Sequence, residues 1–92
     1  EFELSQNYPN PFNPSTTIRY AVPNESKVSI SIFNLLGQEV ATLVNDVQPA
    51  GYHEVQFNAS DLSSGVYLYR INAVSSAGSK EFTSTKKFVL LK

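Results

Sequence analysis

The sequence predicts an all-β fold, a seven-stranded antiparallel immunoglobulin-like β-sandwich, on three observations. Apolar residues recur at every second position through most of the chain, the period of a strand with one buried face. Turn-forming residues interrupt those stretches about every 8–12 residues. Ser, Thr and Asn fill 25 of the 92 positions, which suits strand surfaces and turns and leaves little material for long amphipathic helices. A small barrel is the alternative closure of the same strands. Cysteine and tryptophan are both absent, so the buried disulfide and tryptophan of antibody domains are missing.

Residues 1–92 read as a single domain, with 1–16 as an Asn/Pro-rich docked arm and 17–92 as the sandwich. A short strand is expected over Phe2 to Ser5. The following Tyr8-Pro9-Asn10-Pro11-Phe12-Asn13-Pro14-Ser15 holds three of the five prolines, each fixing its own φ and biasing its predecessor to an extended backbone. Tyr8 and Phe12 supply apolar anchors for this arm, and Asn10 and Asn13 are expected to cap adjacent backbone.

Thr17 to Val22 places Ile18, Tyr20 and Val22 on one face, and Pro23-Asn24-Glu25 ends it. Lys27 to Asn34 alternates Val28, Ile30 and Ile32 with serines. Leu35-Leu36-Gly37-Gln38 forms a turn before a strand from Glu39 to Asn45. Pro49-Ala50-Gly51 is the next break. Tyr52 to Asn58 alternates His53, Val55 and Phe57 with polar residues, and a loop runs from Ala59 to Gly65. Val66 to Val74 puts Tyr67, Tyr69 and Ile71 on one face and Val66 and Leu68 on the other, as a central strand requires. Ser75 to Ser79 turns the chain into one bent terminal strand, Lys80 to Thr85 and Lys86 to Lys92, where Phe88 and Leu90 share a face and Lys92 ends free.

Composition and spacing exclude several function classes. A net charge of -1 offers no drive toward phosphate backbones, so no nucleic acid is expected. His53 is the single histidine and Asp46 and Asp61 the only aspartates, none in a hydrolase or zinc-protease spacing. His53 therefore reads as a packed, hydrogen-bonded strand residue, and the chain as non-enzymatic. Calcium and zinc spacings are lacking, and the four glycines are isolated turn residues, not a phosphate cradle. No metal or other cofactor is expected. Asn24-Glu25-Ser26 and Asn58-Ala59-Ser60 are formal glycosylation triplets read here as turns. Tyr and Phe side chains read mainly as core, with a sugar-binding platform as the functional alternative. No apolar run reaches the roughly 18–20 residues of a membrane span, so no transmembrane segment is expected. The acidic start Glu1-Phe2-Glu3-Leu4 lacks the pattern of a secretory signal; if the protein is secreted, that signal stands on a larger precursor.

Between Lys80 and Lys92 stand four lysines and one glutamate. Lysine on a terminal strand is ordinary edge protection; the functional reading is a tag whose exposed Lys86, Lys87 and Lys92 and alternating apolar residues a receptor grasps by strand addition.

Leu4 to Ile18, running LSQNYPNPFNPSTTI, closely resembles the opening of the type A C-terminal sorting domain of the type IX (Por) secretion system. Ile32 to Val40 is similar to that family's Ile-Tyr-Asp-x-x-Gly-x-x-Val block, with Asn34 where Asp is common. Ala50-Gly51-Tyr52-His53 resembles its Ala-Gly-x-His block, and Ser64-Gly65-Val66-Tyr67-Leu68-Tyr69-Arg70 its Ser-Gly-Val-Tyr-x-Tyr-Arg block. Lys87 to Lys92 is similar to its lysine-bracketed end. Phe57 stands where Trp is frequent, and Asn58-Ala59 where an Asp-Gly often follows. The resemblance implies an immunoglobulin-like secretion signal that directs an N-terminal cargo domain across the periplasm and outer membrane to the outside or the cell surface. It implies partners in the type IX machinery at the outer membrane, including a sortase-like peptidase that cuts at or before Glu1 and attaches the cargo to the surface. On the same footing the sorting motif is Asn7, Tyr8, Pro9, Asn10, Pro11, Phe12, Asn13, Pro14, Gly51, Gly65, Tyr67, Lys86, Lys87 and Lys92. The alternative from another class is a fibronectin-like surface spacer or carbohydrate-binding module of a secreted enzyme.

Overall fold

The computed structural model describes residues 1–78 and 80–92; the final position of the expected Ser75 to Ser79 turn lies outside them. Seven strands follow in order: β1 (Glu3–Leu4), β2 (Ser15–Val22), β3 (Ser26–Phe33), β4 (Glu39–Gln48), β5 (Gly51–Asn58), β6 (Gly65–Ser75) and β7 (Glu81–Leu90). They form two antiparallel sheets, β1-β2-β5 and β4-β3-β6-β7. The body measures 41 × 23 × 16 Å, the flat shape of two sheets stacked about 10 Å apart.

Alternation builds the core. Ile18, Tyr20 and Val22 from β2 are buried, and Val28, Ile30 and Ile32 from β3 meet Tyr67, Tyr69, Ile71 and Ala73 from β6 in the same cluster. The expected faces of these strands are those observed. The last strand is a single element, Glu81–Leu90, in register with β6 along its length. Phe88 sits at the centre of an aromatic cluster, 4.9 Å from the ring of Phe12, 5.7 Å from Tyr67 and 5.9 Å from both Phe57 and Tyr69. Edge-to-face and tilted rings of this kind are favourable beyond the area they bury.

β4 extends three residues beyond the expected Asn45. It is an edge strand whose register against β3 shifts twice, between Ile30 and Ser31 and between Ile32 and Phe33. Its polar end at Asn45 and Asp46 stays paired through the backbone with Ser29 and Val28, which residue polarity does not reveal. The β3–β4 turn is fixed by Asn34, whose Oδ1 accepts from the N–H groups of Leu36 (2.9 Å) and Gln38 (3.0 Å).

Candidate functional site

Two segments from opposite ends of the sequence meet along one edge of the four-stranded sheet. Phe12 forms an isolated parallel bridge with Leu90. Its N–H donates to the Val89 carbonyl at 3.1 Å, and its carbonyl accepts from Leu91 N–H at 3.0 Å. Asn10 Oδ1 accepts from Val89 N–H at 2.9 Å, and Gln6 Nε2 donates to the Lys87 carbonyl at 2.8 Å. An edge strand presents unpaired backbone groups every second residue; here the chain's own arm occupies them from Lys87 to Leu91. Phe12 is 3% exposed and packs edge-on against Phe88, so burial reinforces the backbone pairing.

A polar network fixes the start of the arm. Tyr69 Oη donates to the Ser5 carbonyl at 2.7 Å and accepts from Asn7 N–H at 2.9 Å. Buried Asn7 donates through Nδ2 to Thr16 Oγ1 (3.0 Å) and to the Pro9 carbonyl (3.1 Å), and Thr16 Oγ1 donates to the same carbonyl at 2.8 Å. Burial pushes the Tyr69 hydroxyl up to about 12, against the opposing effect of the Asn7 backbone hydrogen bond. Among the described residues, no buried side-chain nitrogen or oxygen lacks a hydrogen-bond partner, as a low-dielectric site demands. At the other end of the arm, Ala59 N–H donates to the Pro14 carbonyl at 2.8 Å, tying residues 13–14 to the end of β5.

The structure brings most of the sequence-predicted site together and corrects the role of several of its members. Tyr8 is not an anchor: its backbone bridges Thr17, but the side chain is 81% exposed because it falls on the outward face of the sheet. Asn10 reaches across to β7 instead of capping adjacent backbone. Lys86 is not an exposed tag residue: it has the parity of Phe88 and Leu90, faces inward and is half-buried, whereas Lys87 is exposed. An inward-pointing lysine on an edge strand blocks foreign pairing. Lys92 is not free: its N–H donates to Ser64 Oγ at 3.0 Å and its Nζ to the Ser60 carbonyl at 2.6 Å. Strand addition along Lys87 to Leu91 is likewise pre-empted by the arm.

Gly65 pairs with Leu90 and Tyr67 with Phe88, so both belong to this region, and Tyr67 Oη donates to the Ser63 carbonyl at 2.7 Å. Gly51 does not: it opens β5 opposite Val22, seven residues from the Asn58 end, about 24 Å at strand rise. Thr16, Tyr69, Gln6, Ser60 and Ser64 hold the site together and were not singled out by sequence reasoning. Their contacts are long-range polar ones that leave no periodic signature.

His53 stacks on Tyr20 with ring centroids 5.3 Å apart, and its Nε2 lies 2.8 Å from the Pro49 carbonyl, the packed strand role expected of it. Among the described residues, no three His, Cys, Asp or Glu side chains gather where a metal ion could be held, and no helix is long and apolar enough to cross a membrane.

Comparison with known proteins places the chain. The crystal structure of CopC from Methylosinus trichosporium OB3b superposes with a TM-score of 0.64 at 18% identity, over 98% of this chain and 93% of that one, a likeness of fold. No curated protein matches the sequence. The family described as "Secretion system C-terminal sorting domain" matches residues 6–90, from the arm through the end of β7. The arm's Asn-Pro run, the Phe12–Leu90 bridge and strands β2 to β7 all fall inside that match, and the chain belongs to the C-terminal sorting domains of the type IX secretion system.

Proposed function

We propose that this domain carries an attached N-terminal cargo through the outer membrane, and that the surface read by the type IX machinery is the joint edge formed by the arm and β7. The family supports a sorting role and secretion to the cell surface or the extracellular space. The observation that carries the finer reading is the Phe12–Leu90 bridge: the two segments with the most distinctive sequence form one continuous surface. Within it, Asn7, Phe12 and Tyr67 set the shape, the prolines keep the arm extended, and exposed Lys87 with Lys92 supplies positive charge that steers docking to an acidic partner. In the same reading a sortase-like peptidase cuts at or before Glu1 and joins the cargo to the surface.

The test is a fusion of residues 1–92 behind a periplasmic reporter, carried by a bacterium that has the pathway. The reporter is expected outside the cell, with the domain removed from the surface-attached fraction. A reporter that stays periplasmic while a known sorting domain exports it overturns the reading. Export of the intact fusion retains the sorting role and removes the peptidase step.

A further inference from the structure

The outer face of the three-stranded sheet carries chemistry that the arm–β7 surface does not use. Thr17 and Arg19 alternate with buried Ile18 and Tyr20, so they point outward. Across the β2–β5 ladder Arg19 stands opposite Glu54 and Thr17 opposite Gln56. Arg19 Nε donates to Glu54 Oε2 at 3.0 Å, with the two side chains 73% and 59% exposed. An exposed pair of this kind contributes little to folding.

A tyrosine stands at each end of that pair. The Tyr8–Thr17 bridge sets Tyr8 on this face at one end, and Tyr52, opposite Ala21, closes the other. Tyr52 is 83% exposed, much as Tyr8 is. Two shallow clefts share Arg19 and Glu54, one walled by Tyr8 and Gln6, the other by Tyr52 and His53. Neither exposed ring belongs to the core.

The charge of the face selects the ligand class. Arg19 is opposed by Glu54 and by exposed Glu3, which pairs with Ala21 on the same face, so a polyanion meets no positive excess. A purely apolar ligand would strip water from the Arg19–Glu54 ion pair and return no hydrogen bond to its remaining donors and acceptors. A neutral sugar chain satisfies both demands. The C–H faces of its rings lie on tyrosine, an amphipathic platform with an apolar body and a polar tip, and its hydroxyls both donate to a carboxylate and accept from a guanidinium or amide. Four residues along the strands and two strand spacings separate the tyrosines, about 17 Å on the sheet plane. That length spans several linked sugars, and a single sugar cannot reach both rings. We propose that the outer face of the β1-β2-β5 sheet binds a neutral linear polysaccharide, with Tyr8 and Tyr52 as stacking platforms and the Arg19–Glu54 pair as the hydrogen-bonding centre.

The test is isothermal titration of the 92-residue domain with cellohexaose, xylohexaose, mannohexaose and maltohexaose. Saturable binding to at least one is expected, weakened by about tenfold in Y52A and in Y8A, as the loss of one stacked ring requires. S29A on the opposite sheet is expected to leave it unchanged. The corresponding trisaccharide should bind more weakly than the six-unit chain. Absence of heat with all four sugars, retained affinity in both tyrosine variants, or equal affinity for the short and long chains overturns the proposal. Y52A that impairs reporter export without any sugar binding assigns the face to the secretion machinery instead. Sugar binding and export are read in separate assays, so either proposal can fail alone.

Discussion

Phe12 and Leu90 stand side by side as a parallel bridge, and the hydrogen bonds of that bridge run from Phe12 to Val89 and Leu91 on either side of Leu90. The arm thereby supplies a partner strand, one bridge long, to an edge that would otherwise be open. Phe12 and Leu90 face inward and are buried, whereas neighbouring Leu91 is exposed, so stability and exposure can be altered independently.

The two aromatic residues of the arm should separate cleanly. Phe12→Ala removes a buried ring in contact with Phe88 and should destabilise the domain by about 3–5 kcal/mol. Tyr8→Ala should change stability by less than about 0.5 kcal/mol. Urea denaturation of both variants checks this; a small effect of Phe12→Ala would mean that the arm does not dock in solution.

Alkaline pH should loosen the fold through tyrosine. In the unfolded chain a phenol ionises near 10, whereas burial holds Tyr69 protonated up to about 12 and raises Tyr20 in the same direction. Above pH 10 the unfolded state therefore binds fewer protons than the folded one. Stability is fully present below about pH 10 and falls as the pH rises through 12. Urea midpoints between pH 8 and 11.5 should show the decline, with a shallower slope in Tyr69→Phe. At neutral pH that variant should cost about 1–3 kcal/mol, because Asn7 N–H loses its acceptor.

Gly51→Ala should destabilise through the backbone alone. Gly51 has φ +128°, and an added Cβ would meet nothing within 4 Å, so strain of about 1–3 kcal/mol is expected without a steric clash. Gly65, at φ +154°, has the same open surroundings. A neutral or stabilising Gly51→Ala in thermal unfolding would show that the strand start can relax.

Charge on the joint edge should affect export more than folding. Lys87→Glu with Lys92→Glu changes two exposed side chains and should shift the thermal midpoint by a few degrees at most, while reducing reporter export. Normal export from the folded double variant would remove the electrostatic role and leave recognition to the shape of the arm. Lys86 is a poor choice for this purpose, because its inward face makes a glutamate there a folding defect.

Alternation made the sandwich legible. Ile18, Tyr20 and Val22, or Tyr67, Tyr69 and Ile71, need no partner to be known before their common face can be read. Parity also determines Lys86, which shares the phase of Phe88; reading that lysine by its charge alone places it wrongly. The order of strands in each sheet is less accessible, since a period of two assigns a face without naming a neighbour. The clasp was illegible because backbone groups and the Asn10 amide make it across almost the whole chain. The sorting segments themselves could be read, Asn7 to Pro14 above all, but not the fact that they touch.

The same clasp orders events during synthesis. Within this domain Phe12 leaves the ribosome before β2, yet its partners at Val89 and Leu91 emerge only after β2 to β6 are complete. Contacts between distant parts of a chain form late and slowly, and here the seventh strand of the domain completes them. A chain whose translation stops before Phe88 exposes an arm with nothing to grip and lacks the ring at the centre of its aromatic cluster. If the joint edge is what the export machinery reads, an unfinished chain carries no legible label, and the domain certifies that translation of its bearer ran through to that strand.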